Sequence, residues 1–183
     1  VESRADARVA GVGCGICPGA QKLNILPRRM KGISDQVLQN CSKTPERTDW
    51  LARLPETVQM LLARWSLIVI ETFDGPEVSC AWVARVKLRD GGDGVLKLAM
   101  PHMEGQHEIA GLRFWNGDPT VQLLNAEESL GAMLLEYCAP GTVLRQVSES
   151  EQNHVIASLL RRLWRRPAAQ HPFRHLSELT AHW

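Results

Sequence analysis

Three runs of β-branched and apolar residues follow one another in the middle of the chain, and turn signals separate them. The runs cover residues 67–73, 78–88 and 95–100, with Asp-Gly-Pro at 74–76 between the first two and RDGGDG at 89–94 between the last two. β-Branched residues favour strands, whereas Gly and Asp tolerate the positive φ angles of tight hairpin turns. The pattern predicts an antiparallel meander of three strands.

The segment after the meander mixes helical and extended patterns. Apolar residues at intervals of three predict a helix over residues 104–116, and two further short strands are predicted over residues 120–125 and 131–137. Strands, one helix and again strands indicate an α+β fold, in which an antiparallel sheet carries a helix on one face.

A helix is also predicted before the meander. Apolar residues spaced i, i+3, i+4, i+7 indicate an amphipathic helix over residues 55–66, with Pro55 at its first position. Asp49 caps a short turn that precedes it.

Two helices are predicted near the C-terminus. Ser148 and Glu151 form a capping box, and that helix should end at about Arg166, while a last helix starts near Pro172 or Phe173 and is still running at Trp183. Four arginines occupy the last turns of the first of these helices: Arg161, Arg162, Arg165 and Arg166. We favour their stabilisation by the helix dipole, ~0.3 to 1 kcal/mol each, over a nucleic-acid or anion patch.

Charge and hydropathy exclude several classes of partner. Lys and Arg total 21 against 20 for Asp and Glu, a net charge of +1 that argues against nucleic-acid binding. No apolar run approaches the roughly 18 to 20 residues that span a bilayer, so no membrane partner is predicted. The first residues do not resemble a signal peptide, and five irregularly spaced cysteines do not suggest a secreted disulfide framework. A cytoplasmic protein is predicted.

Residues 1–48 show no sustained period, so the pattern does not place them in a core, and they are assigned as a leader of unclear structure. The fragment GVGCGICPG could form a dinucleotide-binding glycine loop, but the third glycine and the preceding strand are missing. Cys14 and Cys17 could supply half of a zinc site, with Cys41 as the one further cysteine nearby, whereas four ligands are required. Unmodified cysteines are favoured over a zinc or thiol module, and no metal site is predicted.

Lys97 lies in the middle of the third predicted strand, within VLKLAM. A strand lysine is most often directed to water. Glu108 in the following helix favours another interpretation, because a carboxylate can orient a lysine so that its ammonium group meets nucleotide phosphates. Glu104, one turn earlier, is an alternative partner for Lys97.

These residues belong to a longer stretch that resembles the N-terminal lobe of the aminoglycoside and hydroxyurea antibiotic-resistance kinases, a group that includes the streptomycin phosphotransferases. The resemblance rests on Lys97, on the HE pair with Glu108, and on the runs RFWNGDPTVQLL and MLLEYCAPG, in this order and at compatible spacings. It extends more weakly from about Trp50 to Trp183 and leaves out residues 1–48.

The resemblance implies a protein-kinase-like fold in which ATP binds between two lobes. Residues 49–138 would form the N-terminal nucleotide-binding lobe, and residues 139–183 would form the exit from the hinge and the first helices of an incomplete C-terminal lobe. Lys97 would contact the α- and β-phosphates, and Glu108 would orient Lys97.

The remaining nucleotide contacts implied by the resemblance lie in the hinge and in one loop. In LLEYC, the carbonyl of Glu136 and the N–H of Cys138 would bind the adenine edge, with Leu135 at the gate of the pocket. Ser79 would contact phosphate from the loop at residues 75–79, which has one glycine where the family has a glycine-rich loop.

The HGD-type catalytic loop of the family and its later metal-binding aspartate have no counterpart, because none of the six histidines is followed by Gly-Asp. We therefore expect a fragment with no catalytic residue of its own and no turnover by itself. The complete enzyme would use ATP and Mg²⁺ to phosphorylate an aminoglycoside, such as streptomycin, or another hydroxylated small molecule. The alternative is a non-catalytic module that binds nucleotide or self-associates through exposed C-terminal helices.

Overall fold

The computed structural model describes residues 32–181, apart from the side chains of Glu104 and Leu179. Within this part of the chain, five antiparallel strands form one sheet in the order β1-β2-β3-β5-β4. The strands are β1 (Ile68–Phe73), β2 (Ala81–Lys87), β3 (Asp93–Ala99), β4 (Leu123–Glu127) and β5 (Ala132–Glu136). The α+β architecture predicted from the sequence is confirmed.

Five α-helices accompany the sheet in the described residues. They are α1 (Asp35–Cys41), α2 (Pro45–Arg64), α3 (Glu108–Trp115), α4 (Glu149–Leu163) and α5 (Leu176–Thr180). In residues 32–181, no helix combines the length and the apolar character that crossing a lipid bilayer requires.

Strands β1, β2 and β3 form the predicted meander. The β2–β3 hairpin is closed at Leu88, whose N–H donates to the carbonyl of Gly92 at 2.8 Å and whose carbonyl accepts from the N–H of Gly91 at 3.0 Å. Gly91 has a φ of +85°, which a residue without Cβ adopts at no steric cost. The RDGGDG sequence thus joins two strands, as its composition indicates.

The two faces of the sheet have different roles. Alternate strand residues point to opposite faces, and Trp82, Leu96 and Leu98 lie on the face that packs in one hydrophobic core with Leu54 and Leu61 of α2. Burying one such side chain contributes ~1.5 to 3 kcal/mol, so this layer anchors the fold. The opposite face carries Lys97.

The sequence pattern did not place residues 1–48 in a core, but the structure brings the part that contains α1 into it. Val37 and Cys41 of α1 are each 1% exposed and belong to the same core as the sheet. Ser34 caps α1 by accepting a hydrogen bond from the N–H of Val37 at 3.1 Å. A helix of seven residues has too few apolar positions to reveal a period, which is why the sequence pattern missed it.

Helix α2 begins well before the predicted helix and contains Pro55 in its interior. Thr44 caps it by accepting from the N–H of Arg47 at 3.4 Å, and Pro45 occupies the first turn. The preference of proline for the start of a helix therefore applies to Pro45, and the prediction that Pro55 begins the helix is wrong. Buried Leu54 and Val58 hold both sides of Pro55 against the sheet.

The predicted helix over residues 104–116 divides into two elements. A 3₁₀ helix, Met103–His107, precedes α3, so Glu108 is the first residue of α3. The Nδ1 atom of His102 accepts from the N–H of Gly105 at 3.1 Å and caps this 3₁₀ turn. Asn116, with a φ of 47°, ends α3 in the left-handed conformation.

The capping box of Ser148 and Glu151 is confirmed at the start of α4. Hydrogen bonds from Ser148 lower the pKa of the Glu151 carboxyl. Helix α4 ends before the predicted boundary at Arg166, and α5 is shorter than predicted. The predicted continuation of the last helix to Trp183 lies outside the described residues.

Candidate functional site

Lys97 and Glu108 form an ion pair. Strand β3 turns Lys97 away from the core because its neighbours Leu96 and Leu98 point into it. The Nζ atom of Lys97 donates to Oε1 of Glu108, and the two side chains are 27% and 30% exposed. Lys97 is therefore not a freely solvated strand lysine. The alternative partner, Glu104, has a side chain outside the described part of the structure.

The ion pair lies in a cleft of about 660 Å³, a size typical of small-molecule sites. Val83 of β2 lines the sheet side of the cleft, and Leu112 and Trp115 line it from α3. Thr120 also lines it, with a buried hydroxyl that has no hydrogen-bond partner among the described residues. The cleft thus joins an apolar wall to a half-buried ammonium–carboxylate pair.

Ser79 lines the same cleft, at the end of the β1–β2 loop. Its carbonyl accepts from Nδ2 of Asn40 at 2.8 Å, and the carbonyl of Val78 accepts from the hydroxyl of Ser34. Ser34 and Asn40, which are 4% and 9% exposed, fasten this loop to the start and the end of α1. The sequence analysis missed both anchors, because contacts from α1 to a loop about forty residues away leave no local signal.

The three predicted hinge residues lie farther along the sheet and do not line the cleft around Lys97. Lys97 pairs with Met133 of β5, whereas Val95 pairs with Leu135, two positions or about 7 Å away. Leu135 is buried, and Glu136 and Cys138 are exposed. The structure therefore brings Lys97, Glu108 and Ser79 together. It leaves Leu135, Glu136 and Cys138 near the start of β3 and the end of β5, outside this cleft.

Arg85 of β2 lies opposite Val95, on the same face of the sheet as Lys97 and near the predicted hinge residues. Its guanidinium lies 4.4 Å from the centroid of the Tyr137 ring and binds the carboxylate of Asp93. Hydrogen bonds from Lys87 and Arg85 lower the pKa of Asp93, and the bond to Asp93 raises the pKa of Arg85. Sequence reasoning missed this cluster because the strand register alone places Arg85 on the face of Lys97.

The arginines at the end of α4 do more than complement the helix dipole. Arg162 and Arg165 both bind the carboxylate of Asp118, which follows α3. Phe173, beyond these arginines, lines the cleft beside Trp115, with 6.3 Å between the ring centroids. The explanation by the dipole alone is therefore incomplete.

No metal centre is evident in residues 32–181, where no three His, Cys, Asp or Glu side chains are arranged as ligands. Cys14 and Cys17 lie outside the described residues. Cys41 lies in the core, with its Sγ atom 3.4 Å from Sδ of Met100. Burial raises the pKa of the Cys41 thiol to about 11, which opposes the thiolate form that zinc binds.

A five-stranded antiparallel sheet with a helical carboxylate paired to a strand lysine is the architecture of a kinase-like N-terminal lobe. The sequence profile described as aminoglycoside/hydroxyurea antibiotic resistance kinase matches residues 64–181, well over half of the chain. The chain belongs to this family.

Curated relatives agree with this membership. A streptomycin 6-kinase of Streptomyces glaucescens is 39% identical over 122 residues, which are 65% of this chain and 38% of that protein. A streptomycin 6-kinase of Streptomyces griseus is 37% identical over 139 residues, 74% of this chain and 45% of that protein. A hydroxyurea phosphotransferase of Kitasatospora aureofaciens is 34% identical over 120 residues, 63% of this chain and 34% of that protein. The chain spans less than half the length of these relatives.

Proposed function

We propose that this chain is the nucleotide-binding lobe, followed by the first helices of the second lobe, of an ATP-dependent small-molecule phosphotransferase. The observation that carries the proposal is the Lys97–Glu108 ion pair inside the cleft. The names of the relatives favour an aminoglycoside such as streptomycin as the acceptor, with another hydroxylated small molecule as the alternative. Because ATP is the proposed donor, we place the reaction in the cytoplasm.

Each candidate residue has a defined task in this proposal. The ammonium group of Lys97 binds the α- and β-phosphates as a point charge, and Glu108 keeps that group directed into the cleft. Ser79 contacts phosphate from the β1–β2 loop, whose backbone Asn40 holds in place. ATP would supply the phosphoryl group, and Mg²⁺ would arrive bound to its phosphates; we assign neither a metal ligand nor a catalytic residue to this chain.

The hinge assignments belong to the same proposal. The carbonyl of Glu136 and the N–H of Cys138 would bind the adenine edge, with Leu135 at the entrance. Leu135, which pairs with Val95, lies about 7 Å along the sheet from Lys97 on the same face, and this supports separate places for the base and the phosphates. Arg85 and Tyr137 lie next to the predicted hinge residues and would border the base.

Calorimetry with Mg-ATP on the 183-residue chain tests the proposal. Lys97→Met removes the ammonium group and keeps the length of the side chain, so we expect the dissociation constant to rise at least about tenfold, as loss of a charge-assisted hydrogen bond predicts. Arg64→Met is the control, since Arg64 is an exposed cation at the end of α2 that pairs with Glu127 and does not line the cleft; we expect a change of less than about twofold. Equal heats for the wild type and Lys97→Met would remove the proposed nucleotide site.

One observation favours the alternative of an association module. Helix α4 has no buried residue, and Val155, Ile156 and Leu160 are exposed on it, followed by Trp164 at 79% exposure. An apolar face of this kind fits a second copy of the chain. Unchanged heats for Lys97→Met together with self-association would support this alternative.

A further inference from the structure

The last residues of α4 and the segment that follows it contact the C-terminal end of α3. Asp118 receives the guanidinium groups of Arg162 and Arg165, the latter at 2.5 Å. The indole Nε1 of Trp115 donates to the carbonyl of Leu163 at 3.2 Å. Two ion pairs and one hydrogen bond therefore join the end of α4 to the end of α3.

The same segment also reaches the other end of α3. Nη2 of Arg174 donates to the carbonyl of Met103 at 2.5 Å, and Met103 starts the 3₁₀ helix that leads directly into Glu108. The ring of Phe173 packs against Phe114, near the C-terminal end of α3, with centroids 5.3 Å apart. We name residues 162–174, the end of α4 and the segment after it, the strap; they contact the chain on both sides of α3, at Met103 before it and at Asp118 after it.

Helix α3 is mostly half-buried, and its other ion pair, between Arg113 and Glu128, is exposed. Of its eight residues, all within the described part of the chain, Gly111 alone is buried. A helix of two turns is not stable by itself, so tertiary contacts must determine its position. The strap supplies contacts at both ends of the element that carries Glu108.

We propose that the strap positions α3 so that Glu108 meets Lys97, with Asp118 and Arg174 as positioning residues that do not touch the nucleotide. The inference rests on the proposed function for its consequence, nucleotide affinity, but not for its structural content. It gives the start of the second lobe a direct influence on the phosphate-binding lysine. Arg162 and Arg165 then affect the nucleotide site indirectly, through Asp118 and α3.

Hydrogen exchange without nucleotide tests the strap itself. Asp118→Asn keeps the shape of the side chain and removes the charge that holds both arginines. We expect amide exchange in residues 108–115 to accelerate about threefold to tenfold, the range for loss of weak exposed ion pairs. Asp49→Asn is the matched control, because Asp49 is an exposed acid on α2, and should leave α3 unchanged. An unaltered exchange rate in α3 for Asp118→Asn would refute the strap.

A double-mutant cycle with Mg-ATP tests whether the strap acts through Glu108. We expect Asp118→Asn to weaken binding about threefold to fivefold in the wild-type background, but less than about 1.5-fold when Glu108→Gln is already present. Equal weakening in both backgrounds, or none in the wild-type background, would refute the positioning role. Arg174→Gln repeats the cycle at the other end of α3.

Two controls keep the outcomes separate. Circular dichroism checks folding, and if Asp118→Asn does not fold, Arg165→Gln removes one of the same ion pairs from the other side. If Lys97→Met leaves Mg-ATP binding unchanged, the proposed function fails, while hydrogen exchange in α3 still decides on the strap.

Discussion

At the scale of single residues, Cys41 shows how burial sets the chemistry of a side chain. The thiol is 1% exposed, and burial raises its pKa from 9.0 to about 11, with a smaller opposing effect from Arg47. Because the folded state binds the thiol proton more tightly than the unfolded state, the protonated thiol contributes stability below pH 9.0. That contribution is lost as the pH rises toward 11.

We therefore predict a loss of stability in alkali that depends on Cys41. Between pH 9.0 and about 11, the free energy of unfolding of the wild type should fall by on the order of 2 kcal/mol more than that of Cys41→Ala. Urea denaturation at several pH values measures this difference. Cys138→Ala, at an exposed cysteine, should follow the wild type. Parallel pH curves for the wild type and Cys41→Ala would show that this thiol does not carry the effect.

Lys97 and Glu108 illustrate the interdependence of a half-buried pair. Each side chain keeps less than a third of its surface exposed, so removal of one partner leaves the other charged group poorly solvated. Such a pair is weak evidence for a gain in stability. It does fix the direction of the lysine side chain, since the carboxylate holds the ammonium group at one point of the cleft. This is why the binding experiment removes Lys97, whereas the coupling experiment removes Glu108.

At the scale of elements, α2 contains a proline where a helix ordinarily excludes one. Pro55 has no N–H to donate to the carbonyl of Leu51, yet the helix continues to Arg64. Burial of Leu54, Val58 and Leu61 stabilises the helix on both sides of the proline. The stabilisation from tertiary packing therefore exceeds the cost of the missing backbone hydrogen bond at Pro55.

We predict that Pro55→Ala stabilises the protein. The substitution restores a backbone donor within a helix, and we expect the free energy of unfolding to rise by about 1 to 3 kcal/mol. Thermal and urea denaturation measure the change. Pro45→Ala, in the first helical turn, where proline is well accommodated, should give no such gain. A fall in stability for Pro55→Ala would mean that packing of the proline ring outweighs the restored hydrogen bond.

At the scale of the whole molecule, the two ends of the described chain differ in burial. The sheet, α1 and α2 share one hydrophobic core, whereas α4 contributes no buried residue. The contacts of the C-terminal helices described above are concentrated on α3 and the segments that flank it. Val155, Ile156 and Leu160 give α4 an exposed apolar face among the described residues.

We predict that this face mediates self-association of the chain. Sedimentation velocity should show a concentration-dependent dimer for the wild type, which Leu160→Glu weakens by placing a charge in the apolar contact. Ser158→Glu adds the same charge at an exposed polar position of α4 and should leave the dimer intact. A monomer at every concentration, or equal effects of both variants, would contradict this prediction.

Local patterns in the sequence determined much of the secondary structure. β-Branched runs and the RDGGDG turn predicted the meander, and the S-x-x-E box predicted the start of α4. The sequence also predicted that Lys97 meets an acid of the following helix, with Glu108 favoured and Glu104 as the alternative, and the structure shows the pair with Glu108. These features depend on interactions within about a dozen residues, which the order of amino acids reveals directly.

Only the tertiary structure decided the rest. It brought α1 into the core, allowed Pro55 within α2, and joined Arg162 and Arg165 to Asp118. It also placed the predicted hinge residues outside the cleft around Lys97, through the register of β3 and β5. These outcomes depend on contacts between residues far apart in sequence, where burial and charge pairing outweigh local preference and leave no periodic signal.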